Sequence, residues 1–509
     1  MSNDITRRGF VAGSARLALG AFVAGPMIVP RHVLGRGYRA PSDTMNVAVV
    51  GVGGMGFSNM AQLLDQNVVA VCDVDFPFVE RQLAGRLRPR QDGTVNPEST
   101  RLEAAYRKAA RYTDWRRMLE RQTDIDGVVV ATPDHTHAVI GAAAMRLGKH
   151  VYMQKPLTYS VHEARAMARI AAETGVVTQM GNQGHSMEGT RRIVELIGAG
   201  AIGPVREVHV YTDRPHQYWA QGIPRPAGTA ATAEAQATAA TGALPPRWNM
   251  RTVERAVLAA MAANPQTPPE GLDWDLFLGP APAIPYHPAY HPFSWRGWVD
   301  FGVSSIGDMG AHLMDQPYWA LGLTYPTSVT ASSTPWGGSE QEPATYPLAM
   351  KAEYEFDARG SLPPVKLYWY DGGLMPPRPA MLPDEVMLPR DGGGVFVGER
   401  GVLTYETYGN NPRVWPESLA AEAERVPRTV ARVEGSHEND WVQACMGLRE
   451  PSCPFSYAAP LTELMLLGIV ALRSGQGRTL RYDGARMQVT NYPDANQWIT
   501  REYRAGWSL

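Results

Sequence analysis

The chain has 509 residues, of which 44% are hydrophobic and 19% are charged, and its formal net charge is -2 from 48 basic and 50 acidic residues. At roughly 150 residues per domain, this length predicts two or three domains with a sizeable buried core. The balanced charge argues against a polyanionic partner, so we expect no binding to nucleic acid.

The N-terminal segment has the pattern of an export signal. Arg7 and Arg8 stand side by side, and a weakly apolar stretch rich in Ala and Gly runs from Leu17 to Pro30. This stretch is shorter than the roughly 20 apolar residues that span a bilayer. We predict residues 1–36 to be a twin-arginine signal that takes the folded protein to the periplasm, with membrane contact only for export or signal retention. An ordinary basic N-terminus is the alternative.

A glycine-rich loop joins two apolar runs near residue 50. The run Asn46–Val50 leads into the loop, and a second run over residues 68–72 ends at Asp73. Such a loop allows a tight turn and a close approach of a pyrophosphate to the backbone, at a helix start that attracts phosphate. The acid, about 20 residues further on, accepts ribose hydroxyls, which favours NAD over NADP. The predicted cofactor residues here are Gly51, Gly53, Gly54, Met55, Gly56 and Asp73.

Two later apolar runs end in polar residues of interest. The run over residues 127–131 is followed by Thr132, Pro133 and, four residues on, His137, and the run over residues 150–153 is followed by Gln154-Lys155-Pro156. Because the carboxyl ends of parallel strands face the cofactor crevice, we predict Thr132, Pro133, His137, Lys155 and Pro156 to contact the cofactor. His135 and His137 could also be metal ligands, but neither a carboxylate nor a cysteine lies at useful spacing, so we predict no metal site.

The order of these motifs resembles the Gfo/Idh/MocA oxidoreductase family. The resemblance continues through residues 178–185, 307–315 and 437–509, and it departs from the usual family motif at Gln154, where a glutamate normally precedes the lysine. It implies an α/β fold with an N-terminal Rossmann doubly wound parallel sheet over residues 44–178. It also implies a C-terminal α+β domain over residues 179–509, with an open, mostly antiparallel sheet that carries the substrate site and builds a homo-oligomer, a dimer or tetramer. Residues 226–268 read as an insertion that is Ala/Thr-rich over residues 226–244 and is predicted to be helical over residues 251–264.

The same resemblance implies a catalytic group of Lys155, Asp308 and His312. The helical pattern over residues 306–321 places Asp308 and His312 four residues apart on one face. We expect His312 to accept the hydroxyl proton of an alcohol, Asp308 to orient its ring, and Lys155 to polarise the substrate oxygen. A structural His–Asp pair on a buried helix is one alternative. A metal site that adds Asp315 is another.

Four more residues are predicted to contact substrate. Asn182 and His185 follow the run that ends near residue 181, and Tyr290 and Trp295 lie in a loop rich in aromatic residues and histidines. Sugar C–H faces stack on such rings, so we expect a small carbohydrate substrate. The rings could equally well hold a proline-rich loop against the domain.

The sequence therefore predicts an exported oxidoreductase for a sugar, glycoside or polyol. Its NAD would be tightly held and recycled in place, because free cofactor is not expected outside the cytoplasm; NADP is the less favoured cofactor, and Arg81 is the residue that keeps it open. Redox-neutral glycosidase or epimerase chemistry is an alternative, and a non-catalytic dinucleotide-binding sensor or scaffold is a rival from another class. Cys445 and Cys453 are near enough in sequence to pair in an oxidising compartment, but spacing alone does not decide whether they do.

Overall fold

The computed structural model describes residues 44–226, 250–262, 264 and 266–509. The predicted export signal at residues 1–36 lies outside the described residues, and so do residues 227–249 of the predicted insertion. The helical stretch that the sequence predicts at the end of this insertion is present as a helix over Met250–Ala262.

The first sheet has six parallel strands in the order β3-β2-β1-β4-β5-β6. Its strands are β1 (Asn46–Val50), β2 (Asn67–Cys72), β3 (Ala110–Tyr112), β4 (Gly127–Val130), β5 (His150–Gln154) and β6 (Thr178–Gly181). Val50, at the end of β1, lies beside the last residues of both β2 and β4. The strand order reverses at this point, which opens a crevice at the carboxyl ends of the strands. The predicted Rossmann sheet is confirmed, and its sixth strand continues to Gly181.

Helices connect these strands. They are α1 (Phe57–Gln62), α2 (Phe76–Arg86), α3 (Pro97–Lys108), α4 (Trp115–Arg121), α5 (Asp134–Arg146) and α6 (Val161–Thr174). Strands β1 and β4 are buried along nearly their whole length, which explains their continuous apolar sequence. Helix α6 begins with a reciprocal cap, because the Ser160 side chain accepts from the Glu163 amide while the Glu163 carboxylate accepts from the Ser160 amide.

The second sheet has nine strands in the order β15-β14-β13-β7-β12-β11-β8-β16-β17. They are β7 (Val205–Thr212), β8 (Ser328–Ser333), β11 (Met350–Phe356), β12 (Val365–Tyr370), β13 (Gly392–Gly398), β14 (Val402–Glu406), β15 (Asn410–Trp415), β16 (Thr479–Asp483) and β17 (Gln488–Val489). Strands β9 (Gly337–Gly338) and β10 (Pro343–Thr345) form a separate two-stranded ribbon. Only the β7–β12 pair is parallel, so the predicted open, mostly antiparallel sheet is confirmed.

The C-terminal helices surround this sheet. They are α7 (Glu188–Gly198), α8 (Met250–Ala262), α9 (Trp274–Leu278), α10 (Ser304–Leu313), α11 (Asp315–Ala320), α12 (Glu417–Ala423), α13 (His437–Cys445) and α14 (Phe455–Arg473). In the described part of the chain, α14 is the one helix long and apolar enough to cross a membrane, but 83% of its apolar window is buried. It packs between α6 and strand β8, so it is a core helix that joins the two sheets.

The helix predicted over residues 306–321 is two helices, α10 and α11, that meet at Met314. Pro317 explains the break, because proline has no N–H to donate to the Leu313 carbonyl one turn earlier. The Tyr405 hydroxyl donates to that carbonyl instead, at 2.8 Å. The predicted shared face of Asp308 and His312 is unaffected, since both lie within α10.

All three cysteines are free thiols, including the two whose pairing the sequence left open. Burial raises the pKa of Cys72, Cys445 and Cys453. A buried thiol that stays protonated is a poor nucleophile, so these cysteines act as small apolar residues.

Candidate active site

The glycine-rich loop lies at the carboxyl end of β1, where the strand order reverses. Gly51 has a φ of +82°, and a Cβ there would lie 2.6 Å from the Ala131 carbonyl oxygen; a Cβ on Gly56 would lie 2.1 Å from the Gly51 carbonyl oxygen. Both positions therefore require glycine. The Asp73 carboxylate, at the end of β2, accepts hydrogen bonds from the loop amides of Val52 at 2.7 Å and Gly53 at 3.2 Å. The loop and the acid are thus held together as one unit.

A cavity of about 230 Å³ extends from this loop to Lys155. Phe78 and Phe277 give it apolar walls. No atom lies within 4 Å of a Cβ built on Gly54, so the backbone there is open to a pyrophosphate. These features fit a dinucleotide. Of the predicted cofactor residues, the wall contains Gly51, Gly53, Gly54, Met55, Asp73, Thr132, Pro133 and Lys155.

The predicted cofactor residues Gly56, His137 and Pro156 do not line the cavity. The two ring nitrogens of His137 each lie 2.8 Å from a carbonyl oxygen, one of Pro156 and the other of Thr132. His137 is buried, and burial lowers its pKa. His137 holds the loops after β4 and β5 together, and its predicted contact with the cofactor stays a prediction. Pro156 packs at the α10 backbone near Gly307.

His135 does not form a metal site with His137. Its ring nitrogens face the carbonyl oxygens of Phe301, at 3.2 Å, and Phe277, at 2.8 Å. Burial lowers the pKa of His135 to about 3, so the ring is neutral. The described residues contain no group of three or more metal-ligating side chains.

Lys155 and Asp308 form a buried ion pair beside the cavity. The Lys155 Nζ donates to the Asp308 Oδ1 at 2.7 Å and to the Asp308 carbonyl oxygen at 2.6 Å. Arg296 lies 3.2 Å from the same Oδ1, and Arg214 lies 3.6 Å from Oδ2. Burial opposes ionisation of Asp308, but the charges of Lys155 and Arg296 outweigh it and lower the pKa of the carboxyl. Asp308 is therefore a carboxylate with three cationic neighbours.

His312 lies one turn after Asp308 on α10 and is 3% exposed. Its Nδ1 has no hydrogen-bond partner, and its ring meets Tyr408 edge-on at 4.6 Å. The predicted role of Asp308 as its orienter was wrong, because the carboxylate is directed at Lys155 and the two arginines. Burial, and secondly the charge of Lys155, lower the pKa of His312 well below its usual value. The imidazole is thus neutral and able to accept a proton.

His185 lies in a short helical turn over Gln183–Ser186 that follows β6, and Asn182 immediately precedes this turn. The His185 Nδ1 is 2.9 Å from the Asp315 carboxylate, which also accepts from the Tyr457 hydroxyl at 2.6 Å, and the imidazole stacks on Trp319. Asp315 therefore serves His185 and is not a metal ligand with His312. Both amide atoms of Asn182 are buried without a hydrogen-bond partner of normal geometry. Neither residue lines the cofactor cavity, so their predicted substrate contacts stay predictions.

The two predicted substrate residues of the aromatic loop, Trp295 and Tyr290, lie in different places. Trp295 lies in the cavity wall. Tyr290 is 2% exposed and packs edge-on against Trp298 and Phe301, at 4.6 and 5.6 Å between ring centroids. The structure corrects the substrate role predicted for Tyr290, since its ring belongs to an apolar cluster behind the wall.

Several site residues escaped the sequence analysis. Gln154, in place of the usual glutamate, lines the cavity and donates to Asn59 at 3.1 Å; Asn59 in turn donates to Glu438 at 2.7 Å. Thus Glu438, from distant α13, supplies a carboxylate to this buried network. The sequence offered no signal for a contact between Asn59 and a residue 379 positions away.

The same holds for the residues that close the cavity. His291, from the aromatic loop, lies 2.8 Å from the Asp75 carboxylate, and both are buried. Asp134 lies in the cavity wall and accepts from the Val303 amide at 3.1 Å; burial raises its pKa to about 7. Asp134 stands within the strand-end motif and could have been found there, whereas His291 depends on tertiary contact.

Two segments match known family models. Residues 45–182 match "Oxidoreductase family, NAD-binding Rossmann fold", and residues 248–337 match "Oxidoreductase family, C-terminal alpha/beta domain", both from Gfo/Idh/MocA.

Curated relatives match over shorter spans. Levoglucosan dehydrogenase of Pseudarthrobacter phenanthrenivorans is 32% identical over 18% of this chain and 24% of its own length. A glycosyl hydrolase family 109 protein of a Shewanella species is 28% identical over 34% of this chain and 38% of its own length. The chain spans between about a quarter and a half of the length of the curated relatives that it matches.

Among solved structures, the WlbA dehydrogenase of Bordetella pertussis, in complex with NADH and UDP-GlcNAcA, has the same fold. It superposes with a TM-score of 0.51 and 16% identity, covering 86% of this chain and 99% of that one. The glycine loop, the Lys155–Asp308 pair and the two family models all indicate the same kind of NAD-binding oxidoreductase. Two segments of the chain therefore match Gfo/Idh/MocA oxidoreductases, and residues 45–182 match the NAD-binding Rossmann fold of that family.

Proposed function

We propose that this chain is an NAD-dependent oxidoreductase that acts on a sugar, glycoside or polyol. The observation that carries the proposal is the Lys155–Asp308 pair at one end of the cofactor cavity, with neutral His312 one helical turn away. A charged donor and an uncharged base on neighbouring positions are what alcohol oxidation needs from the protein.

Each of these side chains has its own task in this proposal. The Lys155 ammonium has three N–H groups, and Asp308 occupies two of them. The third is left to donate to the substrate oxygen, and it stabilises negative charge that develops there. Asp308 fixes the position of Lys155. The lowered pKa of His312 leaves its ring neutral at neutral pH, and we assign to it the acceptance of the hydroxyl proton. When bound, NAD supplies the hydride acceptor.

Aromatic side chains at the same end support a carbohydrate substrate. Trp295 lies in the cavity wall, and the Phe293 ring, 49% exposed, lies 6.5 Å from that of Trp219. Tyr218, 43% exposed, lies next to Trp219. Rings at a mouth of this kind offer apolar faces to the C–H faces of a sugar.

The aromatic loop also supports retention of the cofactor. His291, Pro292 and Phe293 line the cavity, and the buried His291–Asp75 contact fastens the loop to the Rossmann domain. A cofactor held beneath such a loop suits export by the twin-arginine route to the periplasm, where each turnover must regenerate it in place. We include that route and a homo-oligomeric state in the proposal.

Purification without added nucleotide tests retention directly. The protein is denatured, and the released small molecules are identified by mass spectrometry. We expect about one NAD(H) per chain. A protein that is empty and also fails to bind added NAD(H) or NADP(H) would refute the proposed function.

Substitutions test the assignment of tasks. Lys155→Ala and His312→Ala should each lower kcat at least a hundredfold, while bound NAD and the melting temperature change little. Lys108→Ala, at an exposed position on α3, is the matched control and should behave as wild type. Unchanged biological activity in both site variants would favour a non-catalytic sensor or scaffold, and full turnover in both would refute the tasks assigned to Lys155 and His312.

A redox-neutral glycosidase or epimerase is a second candidate. The same retaining loop favours it, since transient oxidation within one substrate needs no exchange of cofactor, and one relative bears the name of a glycosyl hydrolase family. Transient oxidation would acidify a neighbouring C–H and permit cleavage or inversion. Release of sugar from a glycoside without net change in NADH absorbance would select this candidate over a dehydrogenase.

A further inference from the structure

Two arginines stand beside the Lys155–Asp308 pair, Arg296 in the cavity wall and Arg214 next to Asp308, and the proposed mechanism uses neither. Arg296 lies 3.2 Å and Arg214 lies 3.6 Å from the Asp308 carboxylate, which Lys155 already contacts at 2.7 Å. The four side chains are between 12% and 21% exposed. One carboxylate therefore faces three cations in a largely dry site, where uncompensated charge is costly.

The other charged groups nearby do not restore the balance. Asp213 lies 3.9 Å from Arg214, at the limit of an ion pair. Asp134 lies close enough to interact with Arg296 and Lys155, but its pKa of about 7 leaves it only partly ionised at neutral pH. His312 is neutral there. The site thus keeps an excess of positive charge.

The two guanidinium groups also have unused donors. In the part of the chain that the structure describes, the Arg214 side chain makes no hydrogen bond, and Arg296 uses only its Nε and one terminal nitrogen, Nη1. Aromatic rings fix both groups: Arg214 lies 3.1 Å above the centre of Tyr218, and Arg296 lies 4.2 Å from that of Trp295. A planar fork held against a ring is prepared to bind a carboxylate through two parallel hydrogen bonds.

We propose that the substrate is an anionic sugar, a uronate or a related carbohydrate acid, whose carboxylate binds Arg214 and Arg296 while the reacting hydroxyl faces Lys155. This inference rests on the proposed function and specifies its substrate class. The negative charge of the substrate carboxylate, together with that of Asp308, neutralises the three cations of the site better than Asp308 does alone. Neutral sugars lack this contribution and bind more weakly.

Binding measurements on the purified full chain with its bound cofactor test the inference. Isothermal titration compares glucuronate and galacturonate with glucose and galactose, and glucose 6-phosphate serves as a differently charged sugar. We expect at least one uronate to bind at least tenfold more tightly than its neutral counterpart, and added salt to weaken only the uronate. Equal or tighter binding of the neutral sugars, or no saturable uronate binding, would overturn the inference. Tighter binding of glucose 6-phosphate than of either uronate would overturn the carboxylate assignment.

Substitutions locate the effect. Arg214→Gln and Arg296→Gln should each weaken uronate binding at least tenfold and leave neutral sugars within twofold. Arg206→Gln, at an exposed position of β7 where the arginine pairs with Glu399, is the matched control and should change neither. Equal losses for acid and neutral sugars would assign the arginines a purely structural role and contradict the inference. NADH binding is measured in the same samples: if it is intact while uronates fail, only this inference falls, whereas loss of NADH binding in wild type refutes the proposed function itself.

Discussion

Replacing Asp134 by asparagine should stabilise the protein relative to wild type. The difference in unfolding free energy between the two proteins should grow as the pH rises. Burial raises the pKa of this carboxyl from 3.8 to about 7. Because the folded protein retains a proton that the unfolded chain gives up near pH 4, the stability linked to this group is complete below pH 4 and declines as the pH rises to 7. A shift of about three units at about 1.36 kcal/mol each sets an upper value of about 4 kcal/mol. Asparagine keeps an oxygen for the Val303 amide but carries no charge to bury.

Urea denaturation between pH 4 and pH 8, followed by tryptophan fluorescence, measures this effect. The difference in unfolding free energy between Asp134→Asn and wild type should grow by about 2–4 kcal/mol across that range, mostly between pH 4 and pH 7. Asp384→Asn, at an exposed carboxylate, should show no such growth. A difference for Asp134→Asn that stays constant with pH would show that Asp134 has a normal acidity and that the burial argument fails.

Three further changes probe the cofactor site and its surroundings. His291→Phe removes the partner of buried Asp75 and should speed NADH release at least tenfold in stopped-flow fluorescence; an unchanged rate would mean that the loop does not retain the cofactor. Gly56→Ala sets a Cβ 2.1 Å from the Gly51 carbonyl oxygen and should abolish NADH binding, whereas Gly85→Ala, with open space around it, should raise stability by about 0.5–1 kcal/mol. Tyr290→Phe should leave KM for substrate unchanged, while Trp295→Ala should raise it at least fivefold; the opposite pattern in steady-state kinetics would restore the predicted substrate role of Tyr290.

The N-terminal half of the fold was readable because its signals are local. Continuous apolar runs mark strands buried on both faces, and the glycine loop between the first two requires the backbone geometry that Gly51 adopts. Local signals also predicted the helix over residues 306–321 but could not place its break, since the Tyr405 hydroxyl that donates to the Leu313 carbonyl, where Pro317 has no N–H, comes from the distant strand β14.

The partners of the site residues were less accessible, and the pair Asp308 and His312 shows why. Helical spacing correctly places them on one face, and from that alone an Asp–His interaction is the natural expectation. In the fold, however, the buried Asp308 carboxylate lies against three cations and not against the neutral His312 ring. The cations compensate far more of the free energy that the carboxylate loses when it leaves water. Lys155, Arg214 and Arg296 come from a loop of the first sheet, the end of a strand of the second and a turn before α10. Only the fold brings them together, so the charge of the site, and with it the inference of an acidic substrate, depends on tertiary structure.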